Sequence, residues 1–161
     1  MIHFAAYSYV QDSFEDPRGF TLGDVVATQR LLEAIRHHSE VSRTRRFIYV
    51  STDKVYSDAT GRFVDETEQF MPTNLYSASK AAAKMYVSAY AKSFDIPALV
   101  VRSNNVYGPC LNVRRYLYAA DAADGFDTLL HRGIVSEAYN LNSSFAVTNL
   151  EVAIHMLEIF G

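Results

Sequence analysis

The segment Phe47-Ile48-Tyr49-Val50-Ser51 constrains the fold more than any other part of the chain. It is apolar at consecutive positions and rich in β-branched and aromatic residues, so a strand formed here has two apolar faces, both of which must be covered. Such a strand belongs inside a parallel sheet. A second run, Ile96-Pro97-Ala98-Leu99-Val100-Val101, has the same character, and Ile2 to Ala6 is a shorter third. Helix-patterned segments separate them. From Asp16-Pro17 onward, Phe20, Val25, Val26, Leu31, Leu32 and Ile35 fall near 3.6-residue spacing, which predicts a helix from 17 to about His37-His38. Ala78 to Phe94 is rich in Ala, Met and Lys and predicts a second. The tail reads as helix over Asp121 to His131, extended chain over Tyr139-Asn140-Leu141, and helix over Thr148 to Phe160, with Thr148 as N-cap and Glu151 three residues on. This alternation predicts an α/β fold built from βαβ units, a parallel sheet with helices on both faces.

Composition narrows the function classes. The chain has 161 residues, 49% of them apolar and 20% charged, which fits a soluble globular protein. A net charge of −3 argues against a strongly basic nucleic-acid binder. Cys110 is the single cysteine and cannot form an internal disulfide. No apolar run approaches the roughly 18 residues of a membrane span, and Met1 to Ala6 has no basic n-region, so a cytoplasmic protein without membrane contact is expected. His3, His37, His38, His131 and His155 lack metal-ligand spacing, so no metal site is expected. His37-His38 reads as a favourable helix C-terminal pair, and Arg43, Arg45 and Arg46 as a solvated connector.

In doubly wound sheets, ligands bind beyond the carboxyl ends of the strands. The residues expected there are Ala5-Ala6-Tyr7-Ser8, Ser51-Thr52-Asp53-Lys54 and Arg102-Ser103-Asn104-Asn105, three polar clusters converging on one edge. Tyr76 and Lys80 are four apart and share one face at the start of a helix. An ammonium beside a phenol favours phenolate, so Lys80 is expected to lower the Tyr76 pKa. A phenolate can take the proton from a sugar or alcohol hydroxyl while hydride leaves its carbon.

These residues sit in stretches that resemble the extended short-chain dehydrogenase/reductase family, nearest its nucleotide-sugar 4,6-dehydratases and the dTDP-glucose branch. The stretches are HFAAYSYVQDS at 3–13, FIYVSTDKVY at 47–56, PTNLYSASKAAAKM at 72–85, VRSNNVYGP at 101–109, VRRYLYAAD at 113–121 and EAYNLNSSFAVTNLE at 137–151. The resemblance implies a Rossmann-like sheet, NAD as cofactor, and a nucleotide sugar such as dTDP-glucose as substrate. It implies Tyr76 as catalytic base with Lys80 as its partner, Thr52 as the hydroxyl on the sugar's 4-oxygen, and Asp53 as the acid for the leaving 6-hydroxyl. Ala5, Ala6, Ser51, Tyr76 and Lys80 match cofactor-lining positions, and Asn105, Arg114 and Asn140 match substrate-contacting ones. It further implies hydride passing from C4 to NAD, loss of water across C5 and C6, and return of hydride to C6. Helices 17–37 and 78–94 match the pair through which relatives dimerise, so a homodimer, or a heterodimer with a full-length relative, is the implied assembly.

Three departures modify that expectation. Lys54 stands where the family pattern has the glutamate that removes the C5 proton. An ammonium accepts no proton. None of the seven glycines forms the G-x-x-G-x-x-G turn that cradles a pyrophosphate; the chain opens at what resembles the family's fourth strand, so a partial sheet lacking the first strands is expected. Only Cys110, Leu111 and Asn112 join Pro109 to Val113, where relatives carry a much longer segment. Smaller changes include Asp24 and Ala27 in place of Asn and Gly. The division expected is residues 1–109 as the later part of the NAD-binding domain and 110–161 as the remnant of the substrate region. The activity expected is an impaired dehydratase, with a non-catalytic dimerisation fragment, or an epimerase or reductase of the same superfamily, as alternatives.

Overall fold

The computed structural model describes residues 1–37, 44–56, 64–107, 116–143 and 149–160. Its elements are β1 (Ile2–His3), α1 (Val10–Glu15), α2 (Pro17–Phe20), a π-helical segment (Thr21–Val26), α3 (Ala27–His37), β2 (Phe47–Thr52), a 3₁₀ turn (Asp53–Val55), α4 (Leu75–Phe94), β3 (Ala98–Ser103), β4 (Asn105–Tyr107), β5 (Tyr116–Tyr118), α5 (Ala119–Arg132), β6 (Ala138–Leu141) and α6 (Asn149–Phe160). Strands β1-β2-β3-β6 form one wholly parallel sheet in that order. Among the described residues no helix is long and apolar enough to cross a membrane.

The two-faced strand behaves as its sequence requires: all six residues of β2 are buried. Its alternate side chains serve two cores. Phe47 and Tyr49, with Ala98 and Val100 of β3, pack under Leu32 and Ile35 of α3 and Ala83, Val87 and Ala91 of α4. Ile48 and Val50, with Leu99 and Val101, pack on Phe126 of α5. Helices therefore cover both faces, as the alternating pattern predicts. The sheet does not stop at residue 109: β6 and α5 come from beyond that point and share the second core.

Several local readings change. β1 ends at His3 rather than Ala6 because the chain turns away to bring the Tyr7 N–H to the Asp24 carboxylate, 3.0 Å away. Helix 17–37 is continuous but widens to a π-turn at its centre, where the Tyr7 ring lies against Gly23. A Cβ at Gly23 would stand 2.4 Å from that ring. Helix 78–94 begins earlier, at Leu75, because Asn74 and Ser77 form a reciprocal cap: the Ser77 N–H donates to Asn74 Oδ1 at 2.8 Å, and the Asn74 N–H donates to Ser77 Oγ at 3.2 Å. The short parallel pair β4-β5 has no counterpart in the sequence reading. Arg46 is no solvated connector, since its guanidinium donates to the carbonyls of Leu129 (3.1 Å) and Leu130 at the end of α5. His38, Arg43, Cys110 and Thr148 lie outside the described residues.

Candidate active site

Parallel strands put their carboxyl ends on one side, and β2 and β3 deliver Ser51, Thr52, Ser103 and Asn104 there. The N-terminal turns of α4 approach from one side and bring Tyr76 and Lys80; the chain leaving β1 adds Phe4, Ala6 and Ser8; α5 adds Ala122 and Phe126. Together they line a cleft of about 570 Å³. That is within the usual range for a small-molecule site.

The position of Lys80 follows from the backbone. Ile48 donates its N–H to Met1 at the β1 side of the sheet. Two residues on, Val50 presents its carbonyl to the same side, where β1 has already ended. Lys80 Nζ takes up that carbonyl at 2.8 Å and lies 4.8 Å from the centre of the Tyr49 ring. Only 3% of Lys80 is exposed, and burial lowers its pKa to about 8, with the Asp24 carboxylate acting the other way. Tyr76 is also buried. Its pKa is raised, first by burial and further by the Asp24 and Asp53 carboxylates, while the Thr52 hydroxyl hydrogen-bonded to it works the other way. The expected lowering of Tyr76 by Lys80 is thus corrected: the ammonium is turned to Val50 and the Tyr49 ring, and burial dominates the phenol.

Thr52 caps the 3₁₀ turn, accepting from the Lys54 N–H at 3.3 Å, and donates its hydroxyl to Asp53 Oδ1 at 3.2 Å. Thr52, Tyr76 and Lys80 therefore come together, with Asp53 one hydrogen bond behind and Lys54 on the cleft wall. Ser51 and Ala6 line the same cleft; Ala5 is exposed beside it and outside its lining. Ser51 Oγ and Asn104 Nδ2 are buried without a hydrogen-bond partner. Two orphaned polar atoms on one cleft are groups that a polar ligand would satisfy.

Other expected residues are placed elsewhere. Arg102 lies within β3, not beyond it, and is buried. Its guanidinium donates to Tyr56 Oη and to the Glu66 carbonyl (3.1 Å), and packs over the Phe70 ring at 4.8 Å. Asn140, opposite Arg102 in β6, is engaged in the same network: its Oδ1 accepts from Tyr56 Oη at 3.0 Å, its Nδ2 donates to the Val64 carbonyl at 3.2 Å, and its backbone N–H donates to Glu66 Oε1 at 2.7 Å. Neither lines the cleft that holds Tyr76. Arg114 lies outside the described residues, as does the side chain of Asn105, whose backbone opens β4.

The residue that sequence reasoning missed is Asp24. It is 1% exposed, in the π-turn, with Oδ1 on the Tyr7 N–H and Oδ2 on Ser79 Oγ at 2.6 Å. The signal was present: Phe20, Asp24, Thr28 and Leu32 are spaced by four, and all four are buried.

Comparison with known proteins identifies the family and the fold. The family described as GDP-mannose 4,6 dehydratase matches residues 1–112. A trifunctional UDP-glucose 4,6-dehydratase/UDP-4-keto-6-deoxy-D-glucose 3,5-epimerase/UDP-4-keto-L-rhamnose-reductase of Arabidopsis thaliana is 35% identical across the whole chain, which spans 28% of that protein. The dTDP-D-glucose 4,6-dehydratase of Dictyostelium discoideum is 33% identical over 99% of the chain and 44% of its own length. Among solved structures, a dTDP-glucose 4,6-dehydratase from Bacillus anthracis in complex with NAD is 31% identical, with a TM-score of 0.80 over 99% of this chain and 56% of that one. One from Streptomyces venezuelae with NAD bound is 26% identical, with a TM-score of 0.87 over 98% and 56%. The chain thus spans about half or less of these relatives. The Arabidopsis match needs 192 aligned positions against 161 residues, so 31 positions of that relative have no counterpart here. Sequence and fold together place the chain in the extended short-chain dehydrogenase/reductase family, in the dehydratase group near dTDP-glucose 4,6-dehydratase.

Proposed function

We propose that the chain carries the sugar-oxidising half of a nucleotide-sugar 4,6-dehydratase site, of the dTDP-glucose type, without the base that completes dehydration. The observation that carries this reading is the convergence of Thr52, Tyr76 and Lys80 on one cleft whose wall also bears Lys54. In this reading Thr52 holds the 4-hydroxyl of the sugar and Tyr76 receives its proton as phenolate, a form that its raised pKa in the ligand-free chain confines to alkaline pH. Asp53, within hydrogen-bond reach of Thr52, is the acid for the 6-oxygen. An ammonium at 54 removes no proton from C5.

The residues fit the nicotinamide end of NAD. Lys80 Nζ has three N–H bonds, of which the Val50 carbonyl takes one; Ser51 Oγ and Asn104 Nδ2 are buried and unpartnered; Ala6 leaves room for a flat ring. NAD supplies the hydride acceptor when bound. The diphosphate is another matter, since the sequence has no Gly-rich turn. Calorimetric titration with NAD is therefore expected to give weak binding or none. A Kd of about 1 μM or tighter overturns this part of the reading.

A further inference from the structure

Arg102 has only 3% of its surface exposed, yet its hydrogen bonding is incomplete. A guanidinium has five N–H donors. Among the described residues its acceptors are Tyr56 Oη and the Glu66 carbonyl (3.1 Å), and both are reached from Nη1. Nε is buried without a partner. The open edge of the guanidinium is therefore the Nε–Nη2 side, which can pair with two oxygens of one anion. Arg102 lines a second cavity, of about 340 Å³, between the segment 64–71 and α4. None of its lining residues belongs to the cleft that holds Tyr76.

A second cation reaches this cavity from α4. Lys84 Nζ lies 5.1 Å from the centre of the Phe70 ring, and Arg102 Cζ lies 4.8 Å from the same centre. One ring thus carries two like charges. Glu66 and Glu68 also line the cavity. Glu66 Oε1 already accepts from the Asn140 N–H at 2.7 Å, and among the described residues neither glutamate forms an ion pair with Lys84 or Arg102. Burial, Arg102 and Lys92 all lower the Lys84 pKa, and no carboxylate works the other way. The remaining wall is apolar, from Phe70 and Met85, and Met85 is exposed, so the cavity opens to solvent. Two cations without a counter-charge and an open arginine edge are complementary to an anion with several oxygens.

We propose that the cavity between segment 64–71 and α4 binds the phosphate group of a small molecule, with Arg102 gripping it side-on and Lys84 as the second cation. A phosphate carries close to two negative charges at neutral pH and so matches both cations, whereas a carboxylate carries one. The volume accommodates a phosphate with a small organic body. The site is independent of the reaction proposed for the cleft.

The test is a titration of the ligand-free chain with inorganic phosphate at constant ionic strength, made up with sodium chloride. The readout is the NMR signal of the Arg102 Nε–H, assigned through its proximity to the Phe70 and Tyr56 rings. A saturable shift with half-saturation near 1 mM is expected, about the affinity of a small, solvated anion site. Lys84→Gln keeps the length of the stem and removes the charge, and it is expected to raise the half-saturation about tenfold. Phenyl phosphate saturating at lower concentration than inorganic phosphate identifies a phosphate ester as the occupant, and equal values identify free phosphate. The proposal is overturned by a shift that does not saturate, by acetate binding as tightly as phosphate, or by a folded Lys84→Gln protein with the wild-type half-saturation. Should Lys84→Gln not fold, the phosphate and acetate titrations of the wild-type chain decide alone.

Discussion

A lysine placed at the position of Lys54 in a complete dehydratase, such as the Bacillus anthracis enzyme, is expected to cut formation of the 4-keto-6-deoxy sugar by about 10²–10⁴-fold, the usual contribution of a positioned acid or base. The substituted position no longer accepts the C5 proton, so the elimination loses its base. In the proposed reading, oxidation at C4 uses other groups, those matching Thr52, Tyr76 and Lys80, so it is expected to survive. Two signals separate the steps: the absorbance of reduced nicotinamide, which should appear and persist, and the alkali-developed absorbance of the 4-keto-6-deoxy product, which should not. Dehydration at the parent rate would show that Lys54 is no obstacle to elimination.

The second large effect is on stability. Lys80 is 3% exposed, and its pKa falls from 10.5 unfolded to about 8 folded. Between those values the unfolded chain holds a proton that the folded chain has released, so stability rises with pH across this window. One pKa unit corresponds to about 1.4 kcal/mol, so Lys80 should contribute a gain of about 2.5 kcal/mol between pH 7 and pH 10. Tyr49 and Tyr76 oppose it at the upper end: burial raises both, so above about pH 10 the unfolded chain ionises phenols that the folded chain keeps protonated, and stability falls. Lys80→Met removes the first term and keeps the second. Urea unfolding of both proteins at pH 7, 8, 9 and 10 should show the wild type gaining on the variant throughout. Parallel curves would mean that Lys80 is not held at a lowered pKa by burial.

How far the sequence reaches is visible in particular residues. The run Phe47 to Ser51 has two apolar faces that must both be covered, so the buried strand was legible from five residues. The juxtaposition of Thr52, Tyr76 and Lys80 followed from strand-end position and helical spacing. The electrostatics of the pair did not, because spacing places Lys80 on the right face of α4 without saying which acceptor its ammonium finds. That acceptor, the Val50 carbonyl, is available because β1 ends one residue short of it, and the end of an edge strand leaves little trace in sequence. Asp24 stands out in sequence only as a departure from the family's Asn, and its burial was not legible because its partners come from Tyr7 and Ser79, far apart in the chain. Arg102 and Asn140 look like ligand-binding residues at strand ends. A third group, Tyr56, engages both within the fold.

The chain belongs to the dehydratase family; the proposal is that Thr52, Tyr76 and Lys80 deprotonate the sugar hydroxyl while Lys54 stands in place of the elimination base. Incubation of the purified chain with NAD and dTDP-glucose, beside a full-length relative as control, tests this directly. The control should yield the alkali-developed absorbance of the 4-keto-6-deoxy sugar, and this chain should yield none. Sustained formation of that product by this chain, with Lys54 in place, would contradict the account.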